Sequence, residues 1–295
     1  MPVRLTSELR AQGLGAKEIR RLVRDQELIP LRRGAYLTEG VDAYQRHREL
    51  IRGTIPVLAE GAVISHVSAA VLHGLPLIGP SLDRVTFTRP GNGGTFIAGQ
   101  LHRYRTPLAP GDVEQVDRIE RTVLARTVVD LARCCALPLA VAAADRALRL
   151  GISHARLLAQ LDAAPRRRGL GRARFVTGFA DARSESPGES YSRLVIWQLG
   201  LPAPDLQVEV WIDGVHYRTD FGWLEQQVLA EFDGKVKYGE LLREGETTAD
   251  VLMREKRREA DLRAAGWGLV RWTWADLYQP DRLRHLITAE LNRRR

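Results

Sequence analysis

Two spacings of apolar residues alternate along this chain. Near its start, Ile19, Leu22 and Val23 recur at helical spacing over Ala16–Asp25, with Lys17, Arg20, Arg21 and Arg24 on the other face. Thr6 or Ser7 is placed to cap an earlier helix beginning at Glu8, and Gly13-Leu14-Gly15 predicts the turn between the two. The run Leu28-Ile29-Pro30-Leu31-Arg32-Arg33-Gly34-Ala35-Tyr36-Leu37 then predicts two short strands about a basic tip. Helix, turn, basic helix and basic hairpin is the order of a winged helix-turn-helix, with the wing at Arg32–Gly34.

From about Arg52 the pattern mixes both periods. Val63 to Leu75 predicts a strand running into an Ala-rich helix, Asp83 to Thr88 alternates as a strand, and Gln100 to Arg105 predicts another. Arg89 to Gly94 is a Gly/Pro loop, and Arg126 to Leu148 predicts a long helical stretch. Gly91-Asn92-Gly93-Gly94 lacks the Lys-Ser/Thr of a P-loop, so no nucleotide site is expected there. His66 and His73 have no acidic partner at metal-ligand spacing and are expected to be structural. Arg166 to Arg174 places five arginines in nine residues, a run that either tracks a phosphate backbone or forms a solvated linker.

The last segment is the most self-consistent. Ser186-Pro187-Gly188-Glu189 predicts a helix start, continued by Tyr191, Leu194, Val195, Gln198 and Leu199. Leu206 to Ile212 alternates as a strand and turns at Asp213-Gly214. Two further strands follow, Tyr217–Trp223 and Val228–Lys235, then a helix over Ala249–Ala265, a strand over Trp267–Thr273 and a last helix. The two middle strands carry acids where a buried strand normally carries Val or Ile. Side chains alternate along a strand, so Glu231, Asp233 and Lys235 share a face, and Asp220 returns beside them across the hairpin. Clustered carboxylates repel one another unless something sits between them. A hard divalent cation fits, because Mg²⁺ is held by one or two carboxylates with water and substrate phosphates.

Composition narrows the partners. Lys and Arg number 44 against 36 Asp and Glu, a net charge of +8 that favours a polyanion, nucleic acid first. Cys134 and Cys135 are adjacent, which excludes a disulfide framework and a Cys-based zinc site and leads to the expectation of a cytoplasmic protein. The first residues lack the apolar core of a signal peptide, and no apolar run approaches ~18 residues, so no membrane partner is expected. Oligomeric state is not legible.

On Leu22-Val23, Glu27-Leu28-Ile29 and Arg33-Gly34-Ala35-Tyr36, about 45 residues at the N-terminal end resemble the winged-helix domain of AbiEi-type abortive-infection antitoxins. Ser68-Ala69-Ala70, Arg126-Thr127 with Asp130-Leu131-Ala132, and Ala144-Asp145 with Ala147-Leu148 resemble the region that follows it in those proteins. That resemblance implies DNA binding through Lys17, Arg20, Arg21, Arg24, Arg32 and Arg33, and a cognate toxin as a second partner. For the middle region it implies no chemistry, only a scaffold.

The order helix, three strands, helix, strand, helix over about 110 residues resembles the PD-(D/E)XK endonuclease fold, most closely its very-short-patch-repair group. The positions that carry the likeness are Glu189, Asp220 and Glu231-Phe232-Asp233-Gly234, then Arg257-Arg258, Leu262, Gly266-Trp267 and Val270-Arg271. The likeness implies that Asp220 and Glu231 ligate Mg²⁺ or Mn²⁺, with the Phe232 carbonyl as a further oxygen. It implies a second carboxylate role for Asp233 and a water-mediated one for Glu189. An ammonium, Lys235 or Lys256, would stabilise charge on the scissile phosphate, and Lys256 and Arg257 would face nucleic acid. The motif departs from the family's in two respects: Lys237-Tyr238 follow the Asp-Gly pair and His216 lies outside it where this group uses a His, and the lysine is displaced. With Glu231 as the second acid, Asp233 stands in the lysine slot; with Asp233 as that acid, Lys235 follows but Gly234 falls mid-motif.

The expected fold class is therefore a multidomain α+β chain. A winged helix-turn-helix spans 1–50, a mixed α/β scaffold spans 51–183, and a restriction-endonuclease-like α/β domain with a central mixed sheet spans 184–295. Two functions follow. One is a DNA-binding, Mg²⁺-dependent DNA endonuclease in defence or repair. The other is an antitoxin-like repressor of a type IV toxin-antitoxin system whose nuclease-like domain is inert.

Overall fold

Gly34 takes φ +82°, a left-handed value open to glycine, and so lets the chain reverse between the strands Ile29–Arg32 and Ala35–Leu37. Arg4–Leu5 adds to the free edge of Ala35–Leu37, giving a three-stranded antiparallel sheet. The first helix consequently starts at Thr6, whose N–H donates to Gly34 O at 2.9 Å, two residues before the expected Glu8. It spans Thr6–Ala11, and the basic helix spans Ala16–Arg24 with Ile19 buried. The computed structural model describes residues 3–91, 93–164, 168–234 and 247–293, but not the side chains of Thr248, Val251 and Leu252.

Two units form, residues 1–179 and 180–295. In the first, Leu31 and Leu37 of the hairpin share one core with Leu50 and Ile51 of the helix Ala43–Thr54 and with Ile64, Val85 and Phe87. The core thus spans the boundary expected at residue 50. A six-stranded mixed sheet runs in the order Phe96–Ala98, Leu101–Arg105, Val85–Arg89, Val63–Ile64, Ile119–Thr122, Val113–Val116. The helical stretch expected as continuous from Arg126 is two helices, Leu124–Cys134 and Leu137–Arg149. Pro138 explains the break: it has no N–H and its ring would clash with the carbonyl four residues back. Arg126 and Asp130 are buried. The guanidinium donates to Asp130 Oδ2 at 2.9 Å and to Asp112 Oδ2 at 2.7 Å, an ion network inside the scaffold. Helices His154–Asp162 and Leu170–Phe179 complete the unit.

In residues 180–295 the elements follow the predicted order. Helix Pro187–Gln198 precedes an antiparallel meander of Asp205–Ile212, Val215–Trp223 and Val228–Asp233. Helix Thr248–Ala264 then carries the chain to Gly268–Thr273, which pairs parallel with Val228–Asp233. Parallel pairing requires such a crossover. One hydrophobic cluster joins Val195 and Ile196 of the first helix to Phe221, Ala230, Trp272 and the last helix, Pro280–Asn292, through Leu283 and Ile287. A second joins Val208, Val210 and Leu229 to Leu262 of the crossover helix. The sheet is therefore covered by helices on both faces. Among the described residues no helix is long and apolar enough to cross a membrane.

Candidate active site

The expected acids meet at one end of the second unit's sheet. Phe221 pairs with Ala230, so the register continued by one residue sets Asp220 opposite Glu231. Directly opposed residues of antiparallel strands share a face. Asp220 Oδ2 accepts the backbone N–H of Phe232 at 2.8 Å, which fixes the carboxylate against its neighbour strand.

Glu189 arrives from the first helix. Ser186 caps that helix by accepting the Glu189 N–H at 3.1 Å, and Pro187 stands in its first turn. Gly188 is the positioning element: a Cβ there would lie 1.9 Å from Phe232 Cε1, so only glycine lets the helix start press on that ring. The Glu189 carboxylate is buried, and its Oε2 accepts from the Glu185 N–H and from Gln207 Nε2, both at 2.8 Å. Gln207 takes φ +54°, uncommon for a residue with a side chain. Its neighbours Leu206 and Val208 consequently enter different hydrophobic clusters instead of alternating simply.

Burial, then the Glu189 and Glu231 carboxylates, push Asp220 from its ordinary 3.8 up to about 7, against the Phe232 N–H and Arg258, which favour the anion. Glu231 is bound differently. Its Oε1 pairs with Arg258 and its Oε2 accepts from Arg271 Nε at 2.9 Å. Glu231 and Arg271 are register partners in the parallel ladder. Arg258 also donates to Arg218 O at 2.9 Å.

The remaining predicted site residues fall outside this cluster. Asp233 ends its strand and is exposed. Lys235 lies outside the described residues. Lys256 and Arg257 are exposed on the crossover helix, and neither forms an ion pair among the described residues. The cations beside the carboxylates are Arg258 and Arg271. Helical spacing held the signal for Arg258: it sits four residues before buried Leu262 and shares its face, whereas 256 and 257 do not.

As to a metal, oxygen chemistry and charge fit a hard cation at Asp220, with Glu231 and Glu189 beside it: a half-buried carboxyl raised to about 7 by desolvation and then by neighbouring acids is stabilised by positive charge. As the side chains stand, no group of three or more His, Cys, Asp or Glu among the described residues is spaced to hold a metal ion.

No protein-family model matches the chain. It is similar to the uncharacterised proteins MT2308 and Rv2248 of two Mycobacterium tuberculosis strains, 33% identical to each over 177 residues, 59% of this chain. The chain spans 62% of the length of these relatives. The crystal structure of RV2827C protein from the same species aligns with a TM-score of 0.41 and 16% identity, covering 72% of this chain and 84% of that one.

In the first unit the predicted nucleic-acid contacts divide into two groups. Lys17, Arg20 and Arg33 are exposed and have no ion pair among the described residues. Arg21 is held by Glu18 at 2.7 Å and Asp25 at 3.2 Å, and Arg24 contacts Asp25. Arg32 is half-buried and donates to Gly53 O at 2.7 Å, so it braces the hairpin against the helix Ala43–Thr54.

Proposed function

We propose that residues 180–295 are a metal-dependent phosphodiesterase acting on DNA, and that residues 1–50 are a winged helix-turn-helix that binds DNA. The observation that carries the reading is Asp220: a half-buried carboxyl opposite Glu231 and beside Glu189, raised to about 7. Catalytic carboxylates are perturbed in this way because a developing charge or a cation is meant to meet them. No core-packing demand explains three acids at that point.

Asp220 and Glu231 would hold Mg²⁺ or Mn²⁺, with Glu189 oriented by Gln207 and the Glu185 N–H. Such an ion acidifies bound water and offsets charge on the scissile phosphate. Arg258 or Arg271, on leaving Glu231, would supply the cation that the likeness assigns to a lysine. The test is nicking of supercoiled plasmid with and without Mg²⁺, by the intact protein and by Asp220→Ala and Glu231→Ala; unchanged cutting by both variants refutes the assignment.

Glu231 also favours a second reading. With both oxygens on guanidinia, it is stably neutralised without a metal. This supports an inert nuclease-like domain in an antitoxin-like repressor partnered by a toxin. That reading predicts salt-sensitive retardation of the protein's own upstream DNA and no metal-dependent cutting.

A further inference from the structure

One cavity in residues 1–179 gathers features that hydrolysis at Asp220 leaves unused. It encloses about 410 Å³ and is lined by Arg105, Arg133, Arg168 and Arg172 with His66 and Cys134 among others. Small-molecule sites occupy roughly 300–1,000 Å³. Thr95, Cys134, Arg168, Arg172 and His66, scattered in sequence, converge here.

Charge points to the ligand. The lining sets four arginines against one carboxylate, Asp130. Asp130 is already bonded to Arg126 at 2.9 Å and reaches Arg133 only at 3.5 Å. Arg105, Arg168 and Arg172 have no carboxylate partner among the described residues, and the buried Nε of Arg133 has no hydrogen-bond partner there. Unpaired guanidinia repel one another at close quarters, and a buried N–H without an acceptor requires an explanation. A planar fork of N–H donors matches phosphate oxygens two at a time.

The walls are positioned for this set. A Cβ on Gly91 or Gly93, at φ +123° and +143°, would stand 3.3 Å from Arg105 Nη1 and 3.5 Å from its Cδ, so the glycine loop is moulded to that side chain. Gly169, at φ +88°, approaches the Arg133 carbonyl, where a Cβ would lie 2.3 Å from the oxygen. Arg133 Nη2 returns a bond to Arg168 O at 3.2 Å, and Arg172 donates to Cys135 O. His66 takes φ +51° while buried, and its ring stacks on Tyr104 with centroids 3.5 Å apart and planes 10° from parallel. Backbone in that region persists in a residue with a side chain only where its surroundings enforce it, and such residues concentrate at ligand sites.

We propose that this cavity binds a small phosphorylated molecule, its phosphate gripped by Arg105, Arg168 and Arg172 against the His66–Tyr104 wall. The proposal does not depend on nuclease activity in residues 180–295.

The test is calorimetric titration of the full chain with inorganic phosphate and, separately, with adenosine 5′-monophosphate. One equivalent is expected to bind, at least tenfold more weakly in an Arg105→Gln/Arg168→Gln variant of unchanged circular dichroism. Arg174→Gln, which like Arg172→Gln removes a single charge but lies outside the lining, is expected to stay within twofold of wild type. If the double variant fails to fold, Arg172→Gln alone carries the same expectation. Tighter binding of the nucleotide than of phosphate assigns the site to a phosphorylated metabolite, and equal binding assigns it to the free anion; either upholds the pocket. No binding of either probe at millimolar concentration overturns the proposal, as does equal affinity in the variants. Displacement of phosphate by duplex DNA, lost in the same variants, overturns it in favour of nucleic-acid backbone.

Discussion

Gly188 and Phe232 are in contact so close that a methyl group on the glycine would stand 1.9 Å from the ring carbon Cε1. This contact sets the start of the Pro187–Gln198 helix against the strand Val228–Asp233 and brings Glu189 beside Asp220. Gly188→Ala is expected to destabilise the protein by about 1–3 kcal/mol through overpacking. It is also expected to reduce DNA cleavage more than the stability loss explains, because Glu189 is displaced. Urea unfolding and nicking rates at a temperature where the variant is fully folded separate the two effects.

Asp220 gives a pH prediction. Its pKa in the fold, about 7, lies above its ordinary 3.8. The proton-bound form is therefore the one the fold favours. The associated stability is fully present below about pH 4 and is lost as pH rises through 7. The displacement corresponds to at most about 4 kcal/mol. Asp220→Asn should raise the melting temperature at pH 8 and have little effect at pH 4. Mg²⁺ should lower the Asp220 pKa in the intact protein, which carboxyl-carbon NMR titration reads directly.

Glu231 links two arginines, and the three side chains are expected to act together. Arg258→Ala leaves a half-buried carboxylate with only Arg271, at an expected cost of about 1–3 kcal/mol. Lys256→Ala and Arg257→Ala, on the exposed side of the same helix, are expected to stay within about 0.5 kcal/mol of wild type. Denaturant midpoints measured on the three variants test this order.

Much of residues 180–295 is legible because its apolar runs are bounded by clear turns, Asp213-Gly214 and Gly266 among them. The acids stand out because they interrupt those apolar runs. What remained hidden was local backbone geometry. The hairpin Val113–Val116 with Ile119–Thr122 turns on Asp117 and Arg118, both at positive φ (51° and 64°), where glycine or asparagine normally announces the turn. Gln207 hides its reversal in the same way. The pairing of Glu231 with Arg258 and Arg271 depends on a crossover and a parallel register, neither of which spacing alone reveals.

The exposed basic residues of the first unit are expected to carry DNA affinity, and the bonded ones stability. Replacing Lys17, Arg20 and Arg33 together by alanine should weaken DNA binding uniformly across sequences. It should also reduce the slope of log affinity against log salt by about 2–3. Arg32→Ala should instead lower thermal stability, because it removes the bond to Gly53 O. Fluorescence anisotropy over a salt series, beside thermal melts, distinguishes them.

We propose that Asp220 lies at a metal-dependent hydrolytic centre. The most direct test is the initial rate of nicking of supercoiled plasmid in Mg²⁺, compared between the intact protein and Asp220→Asn, which keeps shape and removes charge. Mg²⁺-dependent nicking is expected to fall at least about a hundredfold in the variant, in line with the loss of a group that meets transition-state charge. Equal rates in the two proteins, or cutting by neither, would contradict it.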